Sequence, residues 1–236
     1  MSPELFAANP ARDARFDVRD LHVELANLPP DHPEHEVEFL HRQMNEEIDS
    51  LEIAARNLTD FPEADWALRM EIAKQCADES RHAMAFRRLM EKRGCPVGRY
   101  PVINFQFRII TMIKSLIGRL AVANRSFEAS GIDAIQDGIA SFSKKDDHEF
   151  VGLFDAQLAD EVHHVRFANV WIERLIEREG GRAIMDLSRA IAHADRAFKV
   201  ISGGNVTVYP VSAELRREAG FNDDEIETAR AMVARQ

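Results

Sequence analysis

The sequence predicts an all-α protein: a four-helix bundle of two helical hairpins joined by a long crossover, with an N-terminal arm and extra C-terminal helices. Three observations carry this. Apolar residues recur at helical spacing through most of the 236 residues, with no sustained period-2 alternation. One octapeptide occurs nearly twice, as Gln75-Cys-Ala-Asp-Glu-Ser-Arg-His82 and Gln157-Leu-Ala-Asp-Glu-Val-His-His164. A lone acid precedes each copy at matched distance, Glu47 before Glu79 and Glu128 before Glu161.

Bulk properties set the frame. Hydrophobic content of 45% and charged content of 30% fit one globular domain with a sizeable core. The net charge of −10 argues against broad nucleic-acid binding, which needs a basic face. Two cysteines, Cys76 and Cys95, form neither a CxxC nor a disulfide framework, so a reducing cytoplasm is the expected setting. No basic-then-apolar leader opens the chain, and the most apolar run, Ile109 to Ala123, is broken by Lys114 and Arg119, so no membrane span is expected.

The elements follow in order. Residues 1–34 hold five of the nine prolines and read as an arm over the bundle, with at most one short helix near Arg12–Leu28. The bundle occupies 35–180, and 181–236 supplies C-terminal helices packed on it. The first helix starts after Pro33 and runs to about Leu58, with Leu40, Met44, Glu47, Leu51, Ala54 and Leu58 on one stripe. Glu47 thus sits in an apolar stripe, where a carboxylate is costly to bury unless a cation neutralises it. Glu46, Asp49 and Glu52 point elsewhere and read as solvated. Thr59-Asp-Phe-Pro62 is a turn, with Thr59 or Asp60 as cap of a second helix over Glu63–Arg93. Gly94 and Pro96 stop it. After a crossover, a third helix covers about Asn104 to Ser130, with Ile110, Ile113, Ile117, Ala121, Asn124 and Glu128 inward. Gly131 and Gly138 flank a short irregular stretch. The fourth helix spans Lys145–Glu179, with Gln157, Glu161 and His164 inward, and Gly180-Gly181 closes it. A fifth helix covers Ala183–Val200, a short extended piece comes next at Val206–Tyr209, and two short helices end the chain.

The chemistry lies in the repeat. Glu and His three apart on a helix share one face, so a carboxylate oxygen and an imidazole nitrogen can reach one ion. A single Glu-x-x-His is weak evidence, and Glu38-x-x-His41 reads as a decoy because no copy of the octapeptide surrounds it. The matched pair is specific. Two such helices, with a lone Glu from each of two others, make a di-metal carboxylate site. Its ligands are Glu47, Glu79, His82, Glu128, Glu161 and His164. Four carboxylates balance two divalent ions; without metal they would repel and take up protons. The oxygen and nitrogen donors suit two Fe ions, with Mn or mixed Mn/Fe as alternatives, better than tetrahedral zinc.

The surroundings leave choices open. Asp78 and Asp160 each precede a ligand Glu and either hold the imidazole of the opposite motif or lie on the surface. Gln75 and Gln157 either line the pocket, bond across the pseudo-twofold, or pack at the core rim. Cys76 reads as packing, and His163 as a surface or interface residue. Phe86, Ile113, Ile117 and Phe154 are candidates for a pocket lining and equally for plain core. Tyr100 and Tyr209 lie off the ligand helices, which disfavours a tyrosyl radical.

At these residues the chain resembles the ferritin-like di-iron carboxylate superfamily. Asp78-Glu79-Ser80-Arg81-His82 matches its Asp-Glu-x-Arg-His pattern, while Asp160-Glu161-Val162-His163-His164 departs from it with His163 in place of Arg. The wider likeness, over about residues 12–200, is to a bacterial ferritin-like family of unassigned function. That resemblance implies that Glu79 and Glu161 bridge the metals and that Glu47 and Glu128 are terminal ligands. It implies an O2-activating oxidase or oxygenase acting on a small organic substrate. The partners are then O2, that substrate and an electron-donor protein, with a homodimer as a candidate assembly. A ferroxidase or iron store is the second reading, and a non-catalytic metal-stabilised scaffold the third.

Overall fold

The computed structural model describes residues 4–204 and 208–234. The chain is all-α, with a bundle of helices and almost no strand. It divides into two compact units, residues 4–114 with 192–204 and residues 115–191 with 208–234.

The first unit is built on the hairpin of α1 (His35–Asp60) and α2 (Trp66–Lys92). Leu40, Met44, Ile53 and Ala54 of α1 and Leu68, Ile72, Phe86, Leu89 and Met90 of α2 are buried at helical spacing and form its core. α2 begins at Asp65–Trp66, not at Thr59 or Asp60. Both of those residues continue α1 as its last turn, where Arg56 pairs with Asp60 at 3.1 Å. Gly94, at φ +81°, ends α2, and Cys95 N–H closes back on the Met90 carbonyl.

The helix expected near Arg12–Leu28 is absent. The arm instead forms β1 (Asp17–Arg19), which pairs in parallel with β2 (Pro101–Ile103), and then a 3-10 turn over His22–Glu24. The partner strand is more than 80 positions away, so pairing at a distance overrides the weak local helix preference. Beside the ladder, Gly98 sits at φ +88°, and a Cβ there would lie 2.1 Å from the Arg15 carbonyl oxygen, so only glycine fits. The unit is completed by α3 (Phe105–Ile110), whose Phe105 ring packs on Phe198 with centroids 5.8 Å apart.

The third expected helix is not continuous. It breaks over Thr111–Ser115 and resumes as α4 (Leu116–Val122). Ile109, Ile110, Thr111 and Ile113 are β-branched, and the Thr111 hydroxyl donates to the Phe107 carbonyl at 2.7 Å, which competes with helix propagation. In the second unit α4 runs into a π-helical stretch, Ala123–Glu128, and then α5 (Ala129–Lys144). Ser126 donates to the carbonyl of Ala121, five residues back. Gly131 and Gly138 lie inside regular α5. Gly138 is small because a Cβ would meet the Phe154 ring at 2.8 Å.

A turn at 145–147 leads to α6 (His148–Glu179), whose first turn is capped by the Asp147 carboxylate, which accepts from Phe150 N–H at 3.1 Å. Phe142 stacks on Phe150 with centroids 3.8 Å apart. α7 (Gly181–Ser202) comes directly after it, and α8 (Ala213–Glu218) and α9 (Asp223–Val233) end the chain. Ala219 joins Ala129, Ile132, Val162 and Val165 in one core cluster, so the tail is part of this unit. Of the expected extended piece, Val206 lies outside the described residues, and Val208 and Tyr209 belong to no strand. Among the described residues no helix is long and apolar enough to cross a membrane.

Candidate metal centre

In the first unit α1 supplies Glu47 and α2 supplies Glu79 and His82. All three are buried, with Glu79 only 1% exposed. His82 Nδ1 lies 3.4 Å from Glu47 Oε2 and 3.4 Å from Glu79 Oε2. One ligand atom from each residue falls within 4.8 Å of the others. Gln75, one turn before Glu79, donates to Glu79 Oε1 at 3.2 Å.

The second unit repeats this arrangement. Glu128 closes the π-helical stretch, and α6 supplies Glu161 and His164, which is fully buried. His164 Nδ1 lies 3.7 Å from Glu161 Oε2, and the three ligand atoms again fall within 4.8 Å of one another. Gln157 donates to Glu161 Oε1 at 3.0 Å. Asn124 donates to Glu128 Oε2 at 2.9 Å. Asn124 is the residue whose tie to the site the sequence alone did not reveal. The available signal was an amide four positions before a ligand Glu, as in the two glutamines.

Each triad places two carboxylates and one imidazole out of water. Such a set holds together only if protons or a cation offset the like charges. These buried Glu and His groups could hold a metal ion. The donors are oxygen and nitrogen, with no thiolate. Cys76 is half-buried, with its Sγ 3.9 Å from the Leu51 carbonyl.

The neighbouring residues divide between buried and half-buried positions. Asp78 is buried and accepts from Lys74 Nζ at 2.7 Å and from Arg81 at 2.5 Å, both on its own helix. Asp160 and His163 are half-buried, and the His163 ring lies 6.0 Å from that of Phe167. Phe86, Ile113, Ile117 and Phe154 are all buried. Tyr100 donates to Glu34 Oε2 at 3.1 Å.

Two residues of α1 depart from expectation. Asp49, expected in solvent, is fully buried. The Arg12 guanidinium from the arm reaches its Oδ1 at 2.7 Å, and also reaches Glu52 at 2.6 Å and Asn45 at 3.2 Å. Burial pushes the Asp49 carboxyl up, with Arg12 opposing. The arm therefore turns a surface acid into a buried anchor. His41 is also fully buried, accepting from Gly98 N–H through Nε2 at 2.8 Å. Burial lowers its pKa to about 4, so the ring is neutral and its proton is on Nδ1, a buried atom with no hydrogen-bond partner. Among the described residues, Glu38 and His41 join no group of three or more candidate ligands.

Comparison with known proteins identifies a family and is silent on chemistry. An uncharacterised protein of Haemophilus influenzae is 25% identical over 109 residues. That match covers 46% of this chain and 35% of the relative, so the similarity spans about a third of the relative's length. Residues 2–227 match the family model described as "Protein of unknown function (DUF455)", and on that nearly full-length match the chain belongs to the DUF455 family.

Proposed function

We propose that the two triads supply the six ligands of one di-metal centre, and that the protein is a ferritin-like di-iron oxidase or oxygenase acting on a small organic substrate. One observation carries this reading. Each unit buries two carboxylates and an imidazole with ligand atoms within 4.8 Å, on elements that repeat in sequence. The charges support two ions over one: four carboxylates carry −4, which two divalent cations cancel. The donor set suits iron first, and manganese or a mixed pair next.

In this reading Glu79 and Glu161 would each serve both ions, and Glu47 and Glu128 would each serve one. His82 and His164 complete the two coordination sets, with Asp78 and Asp160 fixing the imidazole of the opposite motif. Phe86 in the first unit and Phe154 in the second keep water from the ligands. Iron, when bound, supplies the O2 activation; the chain positions the ligands, holds the substrate and excludes solvent. An electron-donor protein would be the partner that supplies reducing equivalents.

The test is anaerobic titration with Fe(II), and then addition of O2. Two ions per chain and O2 uptake that rises with an added substrate support the oxygenase. Two ions with substrate-independent O2 uptake make the protein a ferroxidase. Saturation at one ion, or none, overturns the di-metal centre.

A further inference from the structure

All four ligand carboxylates have an amide side chain four residues before them: Gln43 before Glu47, Gln75 before Glu79, Asn124 before Glu128, and Gln157 before Glu161. Positions four apart on a helix are neighbours on one face. Three of the four amides use that neighbourhood. Gln75 donates to Glu79 Oε1 at 3.2 Å, Asn124 to Glu128 Oε2 at 2.9 Å, and Gln157 to Glu161 Oε1 at 3.0 Å. All three amides are buried. Gln43 is the exception. It is half-buried, and its Nε2 donates at 3.1 Å to Glu46, on the other side of the ligand stripe.

We infer that Gln75, Asn124 and Gln157 are positioning residues for the metal ligands, each donating to one oxygen of its glutamate and so fixing the orientation in which that carboxylate meets the metal. The inference rests on the di-metal reading above. A buried carboxylate oxygen has more than one acceptor site, so beside a cation it still needs a hydrogen-bond donor. A water donor would leave the side chain free to rotate. An amide one turn away on the same helix fixes it. The amide is also neutral. Lysine or arginine in the same place would offset a carboxylate charge and weaken the demand for a second cation. Gln and Asn provide the donor and leave the −4 balance intact.

The experiment uses the full-length protein and Mn(II) alone, in equilibrium dialysis without O2. Four variants are compared: Gln75→Met, Gln157→Met, Asn124→Leu and Gln43→Met. The first three should each weaken Mn(II) binding about 10–100-fold, the range for lost outer-sphere partners. Gln43→Met should change it less than about twofold on the same scale. Melting of the metal-free protein reads the structural contribution separately. Infrared carboxylate bands of the Mn(II)-loaded protein report how each glutamate binds, and they should shift in the first three variants only. If Gln75→Met fails to fold, Gln75→Asn, which keeps polarity but loses reach, takes its place with the same expectation. Wild-type binding of two ions with all four variants equal to it overturns the positioning role and leaves the di-metal reading standing. Wild-type protein that binds no Mn(II) overturns both.

Discussion

The two Glu/Glu/His triads carry the same residue types on backbones of different regularity. In the first unit, Glu47 sits in the middle of a 26-residue uninterrupted helix, and its partners Glu79 and His82 sit in one of 27 residues. In the second, Glu161 and His164 lie on a 32-residue helix as regular as α2, but Glu128 ends a six-residue π-helical stretch after a broken helix. The octapeptide motif therefore keeps its geometry between the halves, while the lone acid is delivered by two different local structures. A π-turn inserts one residue per turn relative to an α-helix and rotates the residues after it, and such turns recur at functional sites. What the two units share is the buried Glu/Glu/His triad, and what differs is the backbone that delivers its lone acid.

The largest effects should test that equivalence. Glu79→Ala and Glu161→Ala should each remove paired-metal binding, a loss beyond the roughly 100-fold typical of an outer-sphere partner. Metal content by elemental analysis after Fe(II) loading checks this. Equal losses keep the halves equivalent; an ion pair retained at full occupancy in either variant breaks the symmetry and the bridging assignment with it.

The next pair compares the appended segments. The N-terminal arm reaches α1 through Arg12, whose guanidinium contacts fully buried Asp49 at 2.7 Å. The C-terminal tail does the same in the second unit, where Arg216 of α8 contacts buried Asp133 of α5 at 2.6 Å. Each terminus thus contributes to a buried Arg–Asp pair. The remaining support differs. Asp133 also accepts from the Ser212 N–H at 2.9 Å and keeps that strong donor when Arg216 is lost, whereas the backbone donor left to Asp49, the Phe107 N–H, is at 3.5 Å. Arg12→Ala should cost about 3–5 kcal/mol in urea unfolding, the penalty of a stranded buried charge. Arg216→Ala should cost about 1–3 kcal/mol, nearer that of an imperfectly satisfied polar group. Adding Asp49→Asn to Arg12→Ala should recover part of the loss. A double variant no more stable than the single one removes the stranded charge as the explanation.

A third contrast lies within α1, between the ligand stripe and the decoy. His41 is buried without a ligand role, and its pKa falls from the usual 6.5 to about 4. Between those values the unfolded chain binds a proton that the folded ring refuses, so its contribution is intact above pH 6.5 and is lost as pH falls toward 4. Full titration of that difference amounts to about 3 kcal/mol. His41→Gln should flatten the fall in stability over this window, measured as melting temperature against pH. An unchanged slope assigns the acid sensitivity elsewhere.

How much of the molecule is readable from its sequence depends on where the information lies. The ligand helices α1, α2 and α6 carry their own signals: apolar period, a glycine stop after α2 and the repeated octapeptide. The six candidate ligand residues come from that repeat and its matched lone acids. The arm carries no local signal for β1, because its partner, Pro101–Ile103, lies across the chain. Asp49 looks like one solvated acid among several until Arg12 arrives from 37 residues away. The π-helical stretch is equally silent, since Asn124 and Glu128 keep a spacing that an α-helix also satisfies. Gly138 looks like a helix breaker and is a packing contact. Local chemistry was legible, and chemistry made by distant parts of the chain was not.

The smallest expected effect separates the two motif helices at their starts. α6 has a working cap, because the Asp147 carboxylate accepts from Phe150 N–H and occupies one of the unpaired donors of the first turn. α2 also begins after an aspartate, Asp65, but that side chain makes no capping hydrogen bond. Asp147→Ala should therefore cost about 1 kcal/mol, and Asp65→Ala less than about 0.5 kcal/mol. Both are read from urea midpoints. If the two substitutions cost the same, the Asp147 carboxylate acts through charge at the helix start, as Asp65 also could, and hydrogen-bond geometry is not what distinguishes them.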